Sequence, residues 1–77
     1  MKKVDFVKLI KKELVELKVA YRTYDKKLYR HTNDKISDIA KAHGLYAAAY
    51  DIVSGSWKNV IFVDSLKTGK TKFRVTF

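Results

Sequence analysis

The first third of the chain repeats apolar residues at three- and four-residue steps: Val7, Ile10, Leu14, Leu17 and Tyr21. Such a stripe is typical of an amphipathic helix with one buried face. We predict a first core helix from Met1 to about Arg22. The next residues are rich in strand formers around a turn at Asp25, which predicts a short strand within Lys27–Thr32. A longer helix through residues 18–32 is the open alternative.

A second helical pattern starts at Thr32–Asp34, which combines capping side chains with an acid suited to the positive end of a helix. This helix is predicted to run to about His43. Gly44 follows as a left-handed C-cap. A further helix is predicted from about Leu45 to Val53, and Gly55 closes it.

The last part of the chain has the period of a strand. A strand is predicted from Asn59 through the letters NVIFVD, and a second strand in TKFRVTF, where apolar and polar residues alternate. A short loop with Gly69 near its tip joins them, so the two runs predict a β-hairpin. The aromatic residues expected to fill the core beside the first helix are Trp57, Phe62, Phe73 and Phe77.

Composition limits the classes of function. The 77 residues are expected to form a single domain, residues 1–77, with a net charge of +9. Positive charge is concentrated at the two ends: residues 1–30 hold ten basic against four acidic side chains, and residues 57–77 hold five against one. An excess of this size favours a polyanionic partner such as nucleic acid.

Catalytic and metal-binding patterns are weak. The sequence has no cysteine, which excludes disulfides, cysteine-ligated zinc and thiol catalysis, and fits a cytoplasmic location. His31 and His43 lack metal-ligand spacing with the nearby acids. We expect no enzymatic activity, no cofactor and no metal site. Asp5 and Lys8 interrupt the apolar residues at the start, so no secretory signal is predicted, and no run approaches the ~20 apolar residues of a membrane span.

The predicted order of helix, short strand, two helices and hairpin resembles the winged helix-turn-helix family. At residue level the resemblance rests on ISDIAKAHGLYAAAYDIVSG, residues 36–55, where Ala40 allows a close helix crossing, Gly44 makes the turn and Leu45 follows as the apolar anchor. The resemblance implies an α+β winged helix-turn-helix domain: three helices, a C-terminal two-stranded β-hairpin and room for one short extra strand. It also implies a third helix in the major groove and a hairpin on the backbone.

The resemblance places Tyr46, Ala47, Ala48 and Asp51 opposite the bases. These are poor base readers, because bidentate contacts are made by Arg, Lys, Asn or Gln. The lysine-rich hairpin is better equipped to hold phosphates without reading sequence. The residues expected to contact DNA are Lys35, Tyr46, Ala47, Ala48, Lys58, Lys67, Thr68, Lys70, Lys72 and Arg74.

Three hypotheses follow. The first is a small double-stranded-DNA-binding protein, acting as a dimer in transcription, replication or recombination, of a size common in viruses and mobile elements. The alternative is a protein-interaction module that uses the same fold, with its Ala/Tyr segment as contact surface. The third, an RNA-associated domain, is disfavoured because Phe73, Val75 and Phe77 should face inward and leave no aromatic stacking platform on a strand.

Overall fold

The computed structural model describes residues 1–50 and 57–77, with backbone alone for residues 50, 57 and 58. Three helices precede a three-stranded antiparallel sheet in the order β1-β2-β3, so β2 is central. This confirms the predicted α+β class and the C-terminal hairpin. The elements are α1 (Lys3–Leu9), α2 (Lys11–Thr23), α3 (Lys26–Ala42), β1 (Leu45–Tyr50), β2 (Trp57–Ser65) and β3 (Thr71–Thr76).

The predicted first helix is present, divided into α1 and α2 at Ile10. The Ile10 N–H donates to the carbonyl of Phe6, and the Leu14 N–H donates to the carbonyl of Ile10, so the two helices follow one another closely. Ile10 and Leu17 of the predicted stripe are fully buried. The apolar spacing therefore identified the buried face correctly.

The strand predicted within Lys27–Thr32 is wrong, because these residues belong to α3. Asp25 is the N-cap of this helix, and its carboxylate accepts a hydrogen bond from the Leu28 N–H at 3.1 Å. The expected start at Thr32–Asp34 therefore lies inside the helix. One continuous buried stripe outweighs the strand propensity of this segment, and its members are Tyr29, Thr32, Ile36 and Ala40.

The helix predicted over Leu45–Val53 is also wrong where the structure describes it, because Leu45–Tyr50 is strand β1. Residues 51–53 and Gly55 lie outside the described residues. The prediction for Gly44 is confirmed: it has a φ of 72° directly after α3, and its N–H donates to the carbonyl of Lys41.

Contacts with α3 explain why β1 is extended. The Tyr29 hydroxyl donates to the carbonyl of Ala49 at 2.9 Å, and the Ser37 hydroxyl donates to the carbonyl of Ala47 at 2.8 Å. The Ala49 N–H donates to Oδ1 of Asn33 at 2.8 Å. The three donor and acceptor side chains are four residues apart, so they share one face of α3. They satisfy backbone groups of an edge strand, while the small side chains of Ala47 and Ala49 are buried beneath the helix.

The predicted hairpin is confirmed as β2 and β3. Val75 is buried, the Phe73 ring lies 5.6 Å from that of Phe6, and the Phe77 ring lies 5.9 Å from that of Tyr21. The core assignment of Phe62 is wrong, because Ile61 and Val63 are the buried residues of β2 and Phe62 points the other way. The Trp57 side chain lies outside the described residues.

The domain therefore has two layers. The helices contact one another and the sheet through α2 with α3, α3 with β1, and α1 with β3. The side chains that turn toward them are the buried ones of alternate strand positions. No described element covers the opposite face of the sheet, and this uncovered side is called the open face below.

We predict that Asn33→Ala lowers the free energy of unfolding by about 1–3 kcal/mol, because the Ala49 N–H loses its acceptor in a partly buried place. Urea denaturation followed by circular dichroism measures the change. The matched control is Asn59→Ala, since that side chain is exposed and its loss should change stability by about 0.5 kcal/mol or less. Equal effects of the two substitutions would contradict the role given to Asn33.

Candidate nucleic-acid interface

Among the described side chains, the open face carries two exposed aromatic rings, those of Tyr46 and Phe62. Ala48, Phe62 and Arg74 lie opposite one another across the three strands, and Tyr46 pairs with Asp64 in the neighbouring row. Tyr46 is therefore the diagonal neighbour of Phe62. Their side chains are 41% and 36% exposed, respectively. Large rings on an uncovered sheet are costly to leave in water, so they indicate a contact surface.

A cation accompanies the central ring. Cζ of Arg74 lies 5.4 Å from the centroid of the Phe62 ring, a cation–π contact worth about 0.5–1 kcal/mol at an exposed site. Among the described residues, no carboxylate forms an ion pair with Arg74. The guanidinium is thus held over the ring while its N–H groups remain available to an anionic ligand.

The loop after β2 presents the lysines at one end of the sheet. Gly69 has a φ of 71°, its N–H donates to the carbonyl of Ser65 at 2.8 Å, and the Ser65 N–H donates to the carbonyl of Lys70 at 2.9 Å. The loop is therefore closed by its own backbone. The exposed cations that it and the start of β3 carry are Lys67, Lys70 and Lys72.

Thr68 has a structural part in this loop. Its N–H donates to the hydroxyl of Ser65 at 3.4 Å, and its own hydroxyl accepts from the Lys70 N–H at 3.3 Å. These bonds are formed within the hairpin itself. The predicted contact residue Thr68 thus shapes the loop that displays its neighbours.

Other predicted contact residues are not part of this surface. Ala47 is fully buried under α3, so its assignment as a DNA contact is wrong. Lys35 lies on α3 and its Nζ is 3.5 Å from Oε2 of Glu16 on α2, away from the open face. The side chain of Lys58 lies outside the described residues, as does Asp51. The structure places Tyr46, Ala48 and Arg74 of the predicted set on the open face. Lys72 is exposed on β3 at the point where the register with β2 shifts.

Electrostatics differ between the two edges of the open face. Tyr46 and Ala48 border a cleft between α3 and β1 that also contains Asp34, Asp38 and Lys41. The opposite edge, β3 with its loop, carries cations alone. Asp64 is the single acid of residues 57–77, and one of its carboxylate oxygens is buried without a hydrogen bond among the described residues.

Sequence reasoning missed Phe62 as a surface residue. The letters VIFV, residues 60–63, form an uninterrupted apolar run, which hides the fact that a strand sends alternate residues to opposite faces. A signal was present in β3, where Lys72 and Arg74 alternate with inward residues that the pattern does identify. Pairing Phe62 with Arg74 required the strand register, which the sequence does not specify.

Comparisons of the chain with protein-family models, with curated proteins and with solved structures found no match. None of the described helices is both long and apolar enough to cross a membrane. Within residues 1–50 and 57–77, no group of three or more His, Cys, Asp or Glu side chains is arranged to hold a metal ion.

We predict that a lysine substitution destabilises the protein at Ala47 and is tolerated at the adjacent Ala48. Ala47→Lys should cost at least about 3 kcal/mol of unfolding free energy, because it overpacks the α3 contact and buries a charge. Ala48→Lys should cost about 1 kcal/mol or less, because that side chain faces the open side. Thermal and urea unfolding of the two variants provide the measurement. A tolerated Ala47→Lys would contradict the strand register.

Proposed function

We propose that this chain is a nucleic-acid-binding domain that holds a phosphate backbone with its β2–β3 hairpin. The observation that carries the proposal is the set of exposed cations on one internally bonded hairpin: Lys67, Lys70, Lys72 and Arg74. A hairpin closed by its own hydrogen bonds keeps these charges together, so little backbone entropy is lost when they meet phosphates.

The charge of the whole domain supports the same partner. A net charge of +9 on 77 residues attracts a polyanion from a distance and releases its counterions on contact. Double-stranded DNA is the partner expected from the sequence, and its phosphate rows suit a backbone-gripping hairpin. Regulation of transcription, or assistance in replication or recombination, is the role that such binding would serve.

Base reading by a recognition helix is not part of this proposal. The winged helix-turn-helix resemblance required a helix after Gly44, and that segment is β1. Phosphate contacts position a protein on the backbone without reading its sequence. The proposal therefore expects similar affinity for different sequences.

We predict that replacing Lys67, Lys70 and Lys72 with Ala weakens binding on all sequences tested. The logarithm of the affinity should fall less steeply with the logarithm of salt concentration, by about 0.9 for each duplex phosphate that the variant no longer binds. Fluorescence anisotropy with a labelled random-sequence duplex across a salt series measures both quantities.

The matched control replaces three exposed lysines of the helical layer, Lys3, Lys12 and Lys18, with Ala. The loss of net charge is identical in the two triple variants. The control should retain the salt slope of the wild type. An equal change of slope in both variants would refute the hairpin as the contact surface. Absence of binding to both the duplex and a single strand of the same length at low salt would refute the function.

A second candidate function, a protein-interaction module or homodimer, is favoured by a separate observation. Exposed apolar side chains lie along α1 and α2, where Leu9 and Val15 border an open groove with Lys8, Lys11 and Lys12. Exposed patches of this kind often mark protein contacts. This surface is on the helical layer, so it does not compete with the hairpin.

We predict that, if this surface joins two copies, Val15→Asp shifts the protein toward the monomer. The physical reason is the cost of burying a carboxylate in an apolar contact. Sedimentation equilibrium measures the change of mass. Leu66→Asp is the matched control, because Leu66 is also an exposed apolar residue but lies in the β2–β3 loop. A wild-type protein that is monomeric at high concentration would exclude the dimer.

A further inference from the structure

The open face combines flat rings with a cationic edge, which is the chemistry that recognises unpaired bases. We propose that this face binds a single strand of nucleic acid, with its bases stacked on Phe62 and Tyr46. The inference rests on the proposed function and specifies the form of nucleic acid that the same hairpin holds.

The two rings are placed to receive separate bases. Phe62 lies on the central strand and Tyr46 on the edge strand, and diagonal neighbours of a sheet are about 7–8 Å apart. Ala48, directly opposite Phe62, leaves space beside the ring. Every base has a π-face, so stacking on such rings tolerates any sequence. This agrees with a surface that has few groups for reading base edges.

Arg74 adds a second planar group to the stack. Its guanidinium lies over the Phe62 ring and has no carboxylate partner among the described residues. Bases stack on guanidinium planes as well as on aromatic rings. The same group can donate to a phosphate, so it can serve a base and the backbone of one nucleotide.

The charges determine which way the strand lies. The cations Lys70, Lys72 and Arg74 follow the β3 edge, whereas in the cleft at the β1 edge, beyond Tyr46, the acids Asp34 and Asp38 accompany one cation, Lys41. Phosphates are therefore attracted more strongly by the first edge than by the second. The backbone therefore follows β3, and the bases point across β2 toward β1.

A duplex does not satisfy this arrangement, because its base faces are already stacked within the helix. A single strand can turn its bases outward onto a protein surface. Phe62 and Tyr46 then stack on bases of the single strand, a contact that they cannot make with the paired bases of a duplex. We therefore expect a single strand to bind more tightly than a duplex of equal length at the same salt concentration.

The test measures the affinity of the whole protein for labelled oligo(dT) and oligo(U) of about 20 nucleotides, longer than one domain of this kind covers. A duplex and an abasic phosphodiester of equal length are compared with them. The variants are Phe62→Leu and Tyr46→Leu, which keep apolar volume and lose the ring. Phe62→Tyr and Tyr46→Phe keep the ring and serve as matched controls.

Each Leu variant should bind oligo(dT) about 5- to 150-fold more weakly, the range found when one stacking ring is removed. The salt slope should stay unchanged, because the cations that bind the phosphates are all retained. The Tyr and Phe controls should retain wild-type affinity. The abasic strand should bind wild type weakly and should not distinguish it from the Leu variants. Circular dichroism confirms that each variant is folded.

Failure of this inference differs from failure of the proposed function. If the Leu variants bind oligo(dT) and oligo(U) as tightly as wild type while the hairpin lysine variant does not, the stacking surface is refuted and the backbone grip remains. If wild type binds none of the four probes at low salt, both proposals are refuted. A loss of affinity in the Leu variants for either oligo(dT) or oligo(U) supports the stacking surface, since stacking requires no 2′-hydroxyl.

Discussion

The attachment of α3 to the edge of β1 is the interaction on which the rest of this fold depends. Tyr29, Asn33 and Ser37 bind backbone groups of Ala47 and Ala49, so a helix supplies hydrogen bonds that an edge strand otherwise lacks. The buried alanines bring the two elements close enough for these bonds. The three central alanines of LYAAAY favour a helix, so these bonds reinforce the ladder with β2 in holding the segment extended.

This attachment also determines which face of the sheet is uncovered. Because α3 covers β1 and α1 covers β3 from the same side, the inward residues of all three strands form one core with the helices. Phe62, Tyr46 and Arg74 are the outward residues of that arrangement. Their exposure is thus a consequence of strand alternation, and their proximity is a consequence of register.

The sequence predicted the elements whose signals are local. The helical stripe through Ile10 and Leu17, the left-handed Gly44 and the β2–β3 hairpin follow from spacing and turn chemistry, and they are confirmed. The segment Leu45–Tyr50 has the alanines that favour a helix, which is why the sequence predicts one there. Its strand conformation depends on partners in α3 that are 10 to 20 residues away in the sequence and on pairing with β2, so tertiary contacts override the local preference. The sequence assigns Phe62 to the core for the same reason. Which face of the sheet its side chain occupies depends on how β2 pairs with β1 and β3.

The distribution of charge suggests that the helices and the hairpin have different roles in binding a polyanion. The helical residues 3–42 carry most of the lysines, but six acids are interspersed among them, and Lys35 pairs with Glu16. The hairpin has fewer cations but only a single acid, so a smaller share of its positive charge is neutralised by nearby carboxylates than in the helices. Long-range attraction depends on the net charge of the whole domain, whereas close contact depends on the charges within a Debye length, about 8–10 Å. The helices thus contribute to the encounter with a polyanion, and the hairpin with the open face determines how it is held.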